Sequence, residues 1–208
     1  LQARAQFGYL GASLFAIIAF IMFMGFFASI LIVAKDSLAV VLPGFDGTLA
    51  IVVFAVIGIV LCVFGYDLLR KTMTWLSIII GIAVALSMIM FWARPEVVAA
   101  RDDAVFNPEG FFAMLAIGVV WQLAYAPYVS DYTRYLPKKT GPRTAFWSTY
   151  LGLMLSSVFV MSLGVLLGAA NPDNPLSALG EHLGEIGLIV LLIFAVSSAL
   201  INGVELYS

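Results

Sequence analysis

The sequence reads as an all-α integral membrane protein with six transmembrane helices. Three observations point there. Of 208 residues, 63% are hydrophobic and only 11% are charged, against about 45–50% and about 25% in ordinary globular domains. Six stretches reach the roughly 20 mostly apolar residues that a spanning helix needs. The basic residues fall unevenly on alternate loops, as the positive-inside rule requires. An outer-membrane barrel is excluded, because its strands would be short and alternating. The net charge of −2 carries no nucleic-acid footprint.

The spans are expected over residues 8–34, 48–69, 72–93, 110–130, 145–169 and 186–208, a single membrane domain over 1–208. With residue 1 on the cytoplasmic side, the inner loops hold Arg4, Arg70, Lys71, Arg134, Lys138, Lys139 and Arg143. The outer loops hold only Lys35, Arg94 and Arg101. They also collect most of the acids and include the two longest connections, 94–109 and 170–184. A multi-pass protein of the plasma membrane is expected, in a bacterium the inner membrane. No basic n-region with a cleavage site opens the chain, and Ser208 ends it within an apolar segment. The chain therefore reads as an internal piece of a longer membrane protein.

Going along the chain, Cys62 lies in an apolar run and behaves as a small hydrophobe. Trp92 and Trp147 fall at segment ends, where interfacial tryptophans sit. Gly164 and Gly168 form a GxxxG, which favours close helix packing. His182 has no His or Cys nearby and reads as solvated surface.

Four places do not suit a plain anchor. Trp121 lies some eleven residues into its segment, roughly 16 Å deep at 1.5 Å per residue. Gln122 follows it. A polar pair at that depth faces a protein interior or a cavity, and a helix–helix hydrogen bond and a ligand site are equally compatible with it. Pro127 removes a backbone donor and clashes one turn back. It predicts an interrupted helix with a free carbonyl, of the kind that builds midplane sites in secondary transporters. Asp131 and Arg134 are three apart and can pair at the cytoplasmic helix end, as a gate or as a solvated surface pair. The last segment carries Ser197, Ser198, Asn202 and Glu205. The serines can bond their own helix. Glu205, an ionisable group within a spanning segment, is a functional candidate, or a side chain snorkelling to the inner interface.

The stretch WQLAYAPYVSDYTRYLP at 121–137 resembles the signature of the nucleobase:cation symporter-1 family, the cytosine, purine and hydantoin permeases. RAQFGYLGA at 4–12 resembles the start of that family's third helix, and NGVELYS at 202–208 its N-x-x-N-x-Y-S in the eighth. The matches fall in the family's order, with the right number of segments between them. The resemblance implies helices three to eight of a twelve-helix transporter with the LeuT-type inverted repeat. It implies a small planar heterocyclic substrate sandwiched by aromatic rings, here Phe26 and Trp121, with Gln122, Asn202 and Glu205 at its edges. Two positions depart from the pattern. Ile30 stands where the family has Gln or Asn, and Glu205 replaces the second Asn of the helix-eight motif.

No cofactor is expected beyond a coupling ion, Na⁺ or H⁺. The family's sodium-ligand hydroxyls register on Ala199 and Leu200, with Ser197 and Ser198 about half a turn away. Glu205, titratable where the family has an amide, makes proton coupling compatible with the sequence, and Na⁺ versus H⁺ stays open. The expected function is uptake of a nucleobase or related heterocycle by cation symport with alternating access, in a protein monomeric at full length. An intramembrane enzyme would need paired carboxylates or a His cluster at midplane depth, and none is present. A non-transporting structural or receptor-like bundle has no use for the Trp121–Pro127 break.

Overall fold

The computed structural model describes residues 2–64, 66–133, 136–137 and 139–207. Among them nine helices follow one another without a strand. Helix α1 runs Gln2–Val41 and is interrupted at Gly8, whose φ of 68° suits a residue without a Cβ. Helix α2 runs Gly47–Phe64. The Asp46 carboxylate opens it by accepting from the backbone N–H groups of Thr48 at 2.7 Å and Leu49 at 2.9 Å, an N-cap that satisfies donors with no helical partner. Helix α3 spans Tyr66–Trp92 and the short α4 Pro95–Asp102. Asn107 caps α5, Pro108–Ala124, with proline in the first turn where no N–H is needed. Then come α6, Ala126–Thr133, and α7, Pro142–Ala170. Helix α8 spans Ser177–Leu183, and α9, Glu185–Tyr207, follows a turn at Gly184 with φ 56°.

Six helical stretches are long and apolar enough to cross a membrane: Phe7–Val41, Gly47–Phe64, Arg70–Trp92, Pro108–Val129, Pro142–Ala170 and Glu185–Leu206. They coincide with the six expected spans. The bounds shift in two places. The first span continues seven residues past Ala34 to Val41. Lys35 and Asp36, which look like a loop start, pair with each other at 3.0 Å on the helix, and Val40 and Val41 pack on a core. The second span stops at Phe64 rather than residue 69.

The described chain forms two compact units. One holds the residues up to Met24 with Ala104–Val158, the other Gly25–Asp103 with Phe159–Tyr207. The second unit carries both cores. The larger joins Ala83, Val84 and Phe91 of α3, Leu163, Leu166 and Leu167 of α7, Ala178, Leu179 and Leu183 of α8, and Val190 and Leu191 of α9. The smaller joins Leu31 and Ala34 of α1, Ala50 and Phe54 of α2, and Ala195 and Ala199 of α9. Alanines at the crossing let these helices approach closely, as membrane helices do in place of a hydrophobic drive.

Three expectations are overturned. The 94–109 and 170–184 connections are partly helical, as α4 and α8. His182 is not a solvated side chain. It is half-buried, its ring stands edge-on to Phe91 with centroids 5.8 Å apart, and its backbone carbonyl accepts from the Arg94 guanidinium. Gly164 and Gly168 face open space, with nothing within 4 Å of a built Cβ. The neighbouring Leu163, Leu166 and Leu167 do the packing. Trp92 ends α3 and Trp147 sits in the first turns of α7, both exposed, as belt tryptophans would be.

Candidate functional site

In the first unit the site is built around the α5–α6 junction. Helix α5 ends at Ala124 because Pro127 has no N–H to continue it. Tyr125 forms the turn, its N–H bonded to the Gln122 carbonyl at 3.3 Å, and Val129 resumes helical bonding to Tyr125 at 3.0 Å. The N–H groups of the cap reach both the Gln122 and Leu123 carbonyls. The expected break is therefore present, but the carbonyl one turn before the proline is bonded within the turn rather than left free. A local tightening of this kind is one way membrane helices absorb a proline.

Aromatic rings line this junction. Trp121 lies 5.7 Å from Tyr125 between centroids, Tyr125 lies 5.7 Å from Tyr128, and Tyr128 lies 4.6 Å from Phe23 of α1. Spacings of four and then three put residues 121, 125 and 128 on one helical stripe. Trp121 is 38% exposed, whereas Tyr128 is buried. Tyr125 and Tyr128 also border an open pocket of about 350 Å³, lined on the α7 side by Ser148, Gly152 and Ser156. Those serine hydroxyls donate to their own helix, Ser148 to Ala145 and Ser156 to Gly152. Gln122 makes the interhelical contact: its Nε2 donates to the Ser157 hydroxyl of α7 at 3.0 Å. Sequence reasoning misses the tyrosines and Phe23. The regular spacing of aromatics through the break is the signal that could have found the tyrosines.

Asp131 belongs to the backbone of α6, while its side chain and the whole of Arg134 lie outside the described residues, and with them the expected pairing.

In the second unit, Phe26 is half-buried on α1, and Ile30 follows one turn later. The remaining candidates are on α9. Ser198, Asn202 and Glu205 are spaced four and three residues apart, which places them on one stripe of the helix. Ser197 and Ser198 are buried and donate to the same carbonyl, that of Phe194, each at 2.8 Å. Such back-bonding leaves each hydroxyl with its lone pairs for any further contact. Glu205 is partly buried. Asn202 is fully buried, at 0% exposure, and neither Nδ2 nor Oδ1 has a hydrogen-bond partner among the described residues. Leaving a buried polar group unpaired costs about 1–3 kcal/mol, so this amide is the most conspicuous unmet demand in the unit.

Within the first unit, the aromatic faces can supply dispersion and stacking to a flat molecule. Within the second, the Asn202 amide offers one directed donor–acceptor set.

Over its whole length the chain is 34% identical to a Bacillus subtilis (strain 168) protein named "Putative purine-cytosine permease YxlA", covering 46% of it. Over 83% of its length it is 27% identical to the "Purine-cytosine permease FCY21" of Saccharomyces cerevisiae, covering 33% of that protein. The chain thus spans about half of one relative and a third of the other. No solved structure matches it. The family described as permeases for cytosine/purines, uracil, thiamine and allantoin matches residues 1–207, and with that extent of agreement the chain belongs to this family.

Proposed function

We propose that the chain is the substrate-handling part of a secondary active transporter that takes up a nucleobase or related planar heterocycle by cation symport with alternating access. The observation that carries the reading is the broken helix α5–α6, with Trp121, Tyr125 and Tyr128 in succession across the break. A base is flat and polarizable, so aromatic faces give it affinity in any orientation of its substituents. Edge hydrogen bonds then select among bases. Trp121 and Phe26 take the stacking roles. Gln122, Asn202 and Glu205 take the edges, with the Gln122 N–H that binds Ser157 already committed and its Oε1 as the acceptor offered.

The choice of coupling ion rests on residues of α9. Ser197 and Ser198 present lone pairs, as a sodium ligand must, while Glu205 can carry a proton. We assign the coupling to the proton at Glu205, because the register of the helix-eight motif puts Ala199 and Leu200 where sodium-ligating hydroxyls would be needed. Asp131 and Arg134 are assigned to the cytoplasmic helix end as a gate. The full-length protein is read as a monomer in the plasma membrane, with residue 1 inside.

The test is uptake of radiolabelled cytosine, adenine, uracil and allantoin by cells making the full-length protein. Base–aromatic stacking is worth about 1–3 kcal/mol per base. Trp121→Ala is therefore expected to lower uptake by roughly tenfold or more at unchanged membrane abundance. Uptake at the parent rate would remove Trp121 as a stacking platform.

A further inference from the structure

Helix α9 approaches α2 closely at a residue without a side chain. Gly58 is buried on α2. A Cβ added there would lie 3.1 Å from the Asn202 Cβ, 3.4 Å from the Ala199 carbonyl oxygen and 3.5 Å from the Asn202 carbonyl carbon. The first distance is tighter than nine in ten real Cβ contacts, so with an alanine there the neighbouring Asn202 must give by a few tenths of an ångström. Gly25, Gly81, Gly118 and Gly152, also on spanning helices, meet nothing within 4 Å. Other glycines also have close neighbours, Gly187 against the Leu179 backbone above all, but at Gly58 the neighbour is Asn202.

The residue that Gly58 touches is the one with the idle amide. Asn202 is wholly buried, and both polar atoms of its side chain lack a partner among the described residues. A primary amide offers N–H donors beside a carbonyl acceptor. It complements a ligand edge that carries an acceptor beside a donor, such as the cis-amide or amidine edge of a planar heterocycle. Hydrogen bonds of this type work within about 2.7–3.2 Å. A displacement of a few tenths of an ångström uses up a large part of that window.

We propose that Gly58 is a positioning residue for substrate selection: by lacking a side chain it sets the depth of the Asn202 amide, and so decides which heterocycle edge the amide pairs. The proposal rests on the reading that Asn202 contacts the substrate. The three atoms nearest a Cβ built at Gly58 all belong to α9.

The experiment compares Gly58→Ala, Asn202→Ala and the double variant in the full-length protein. It measures KM for labelled cytosine, adenine, uracil and allantoin, or Kd by tryptophan fluorescence where uptake is lost. Both constants are independent of how much protein reaches the membrane. The expected result is a three- to tenfold rise for Gly58→Ala that differs among the four compounds and disappears in the Asn202→Ala background. A Gly58→Ala protein with less abundance but parental constants overturns the proposal and leaves the Asn202 reading intact. Effects of the two substitutions that simply multiply also overturn it. Parental constants in Asn202→Ala overturn the Asn202 reading, and this proposal with it. Should Gly58→Ala fail to insert, Gly58→Ala combined with Asn202→Gly removes the atom it meets. That pair is expected to insert and to match Asn202→Gly alone, and failure to do so overturns the contact.

Discussion

Trp121 and Gln122 are neighbours in sequence with separate tasks. The tryptophan ring meets Tyr125 across the break, while the glutamine amide crosses to Ser157 on the next long helix. An interhelical hydrogen bond of this kind is worth about 0.6 kcal/mol on average in a membrane protein. Ser157→Ala is expected to lower the melting temperature by a degree or two with KM within twofold, since only the tie is lost. A KM shift without a change in melting would instead make Ser157 part of the binding surface. At this scale the sequence is half legible. Trp121 stands out because depth can be counted in residues from a helix start. Tyr125 and Tyr128 do not, because a tyrosine near a span's end reads equally well as an interfacial anchor. Nor does Asn202 reveal its missing partners, since that depends on what surrounds it rather than on its neighbours in the chain.

Among the elements, α5 and α6 show what one proline does. Pro127 denies the helix a donor, and the chain answers with a tight turn at Tyr125 that keeps the Gln122 and Leu123 carbonyls bonded. A proline inside a helix costs about 3 kcal/mol. Pro127→Ala is therefore expected to join α5 and α6 into one regular helix, raising thermal stability and lowering uptake. The pair of measurements is diagnostic, and unchanged uptake would show that the interruption has no role in transport. The break is readable from a single residue, but its form is not, because the rescue of a carbonyl depends on local backbone geometry. The α7 glycines make the same point in reverse. GVLLG looks like a packing motif, yet the leucines between and beside the glycines take the contacts. Gly58, in no recognisable motif, has the close neighbour instead.

For the molecule as a whole, the six spans are legible because lipid imposes length and polarity on every one of them, which local packing does not override. The division into two compact units is not, because it reflects contacts between distant stretches of chain. Coupling also belongs at this scale. If Glu205 carries the coupled proton, it must take it up from the outside and release it inside. Uptake should then rise as the external pH falls, collapse with a protonophore and persist when Na⁺ is replaced by K⁺. Uptake that needs Na⁺ and ignores an imposed pH gradient would return the ion to Ser197 and Ser198. Glu205→Gln separates the two further, since it keeps the shape and hydrogen bonding while removing the proton-carrying charge.

The clasp between α8 and the start of α4 has its own consequence for variation. Arg94 donates to the backbone carbonyl of His182, not to its imidazole, and the imidazole only rests its edge on Phe91. Every amino acid supplies that carbonyl, but few supply a guanidinium. In a saturation library selected for uptake, position 182 should therefore accept aromatic and aliphatic replacements freely. Position 94 should lose function as alanine, which removes the donor, and lysine should restore it only in part, since its flexible ammonium is less pre-organised than the planar guanidinium. Tolerance at one end of a contact and intolerance at the other is the signature to look for, and a scan of side chains at 182 alone would overlook the tether.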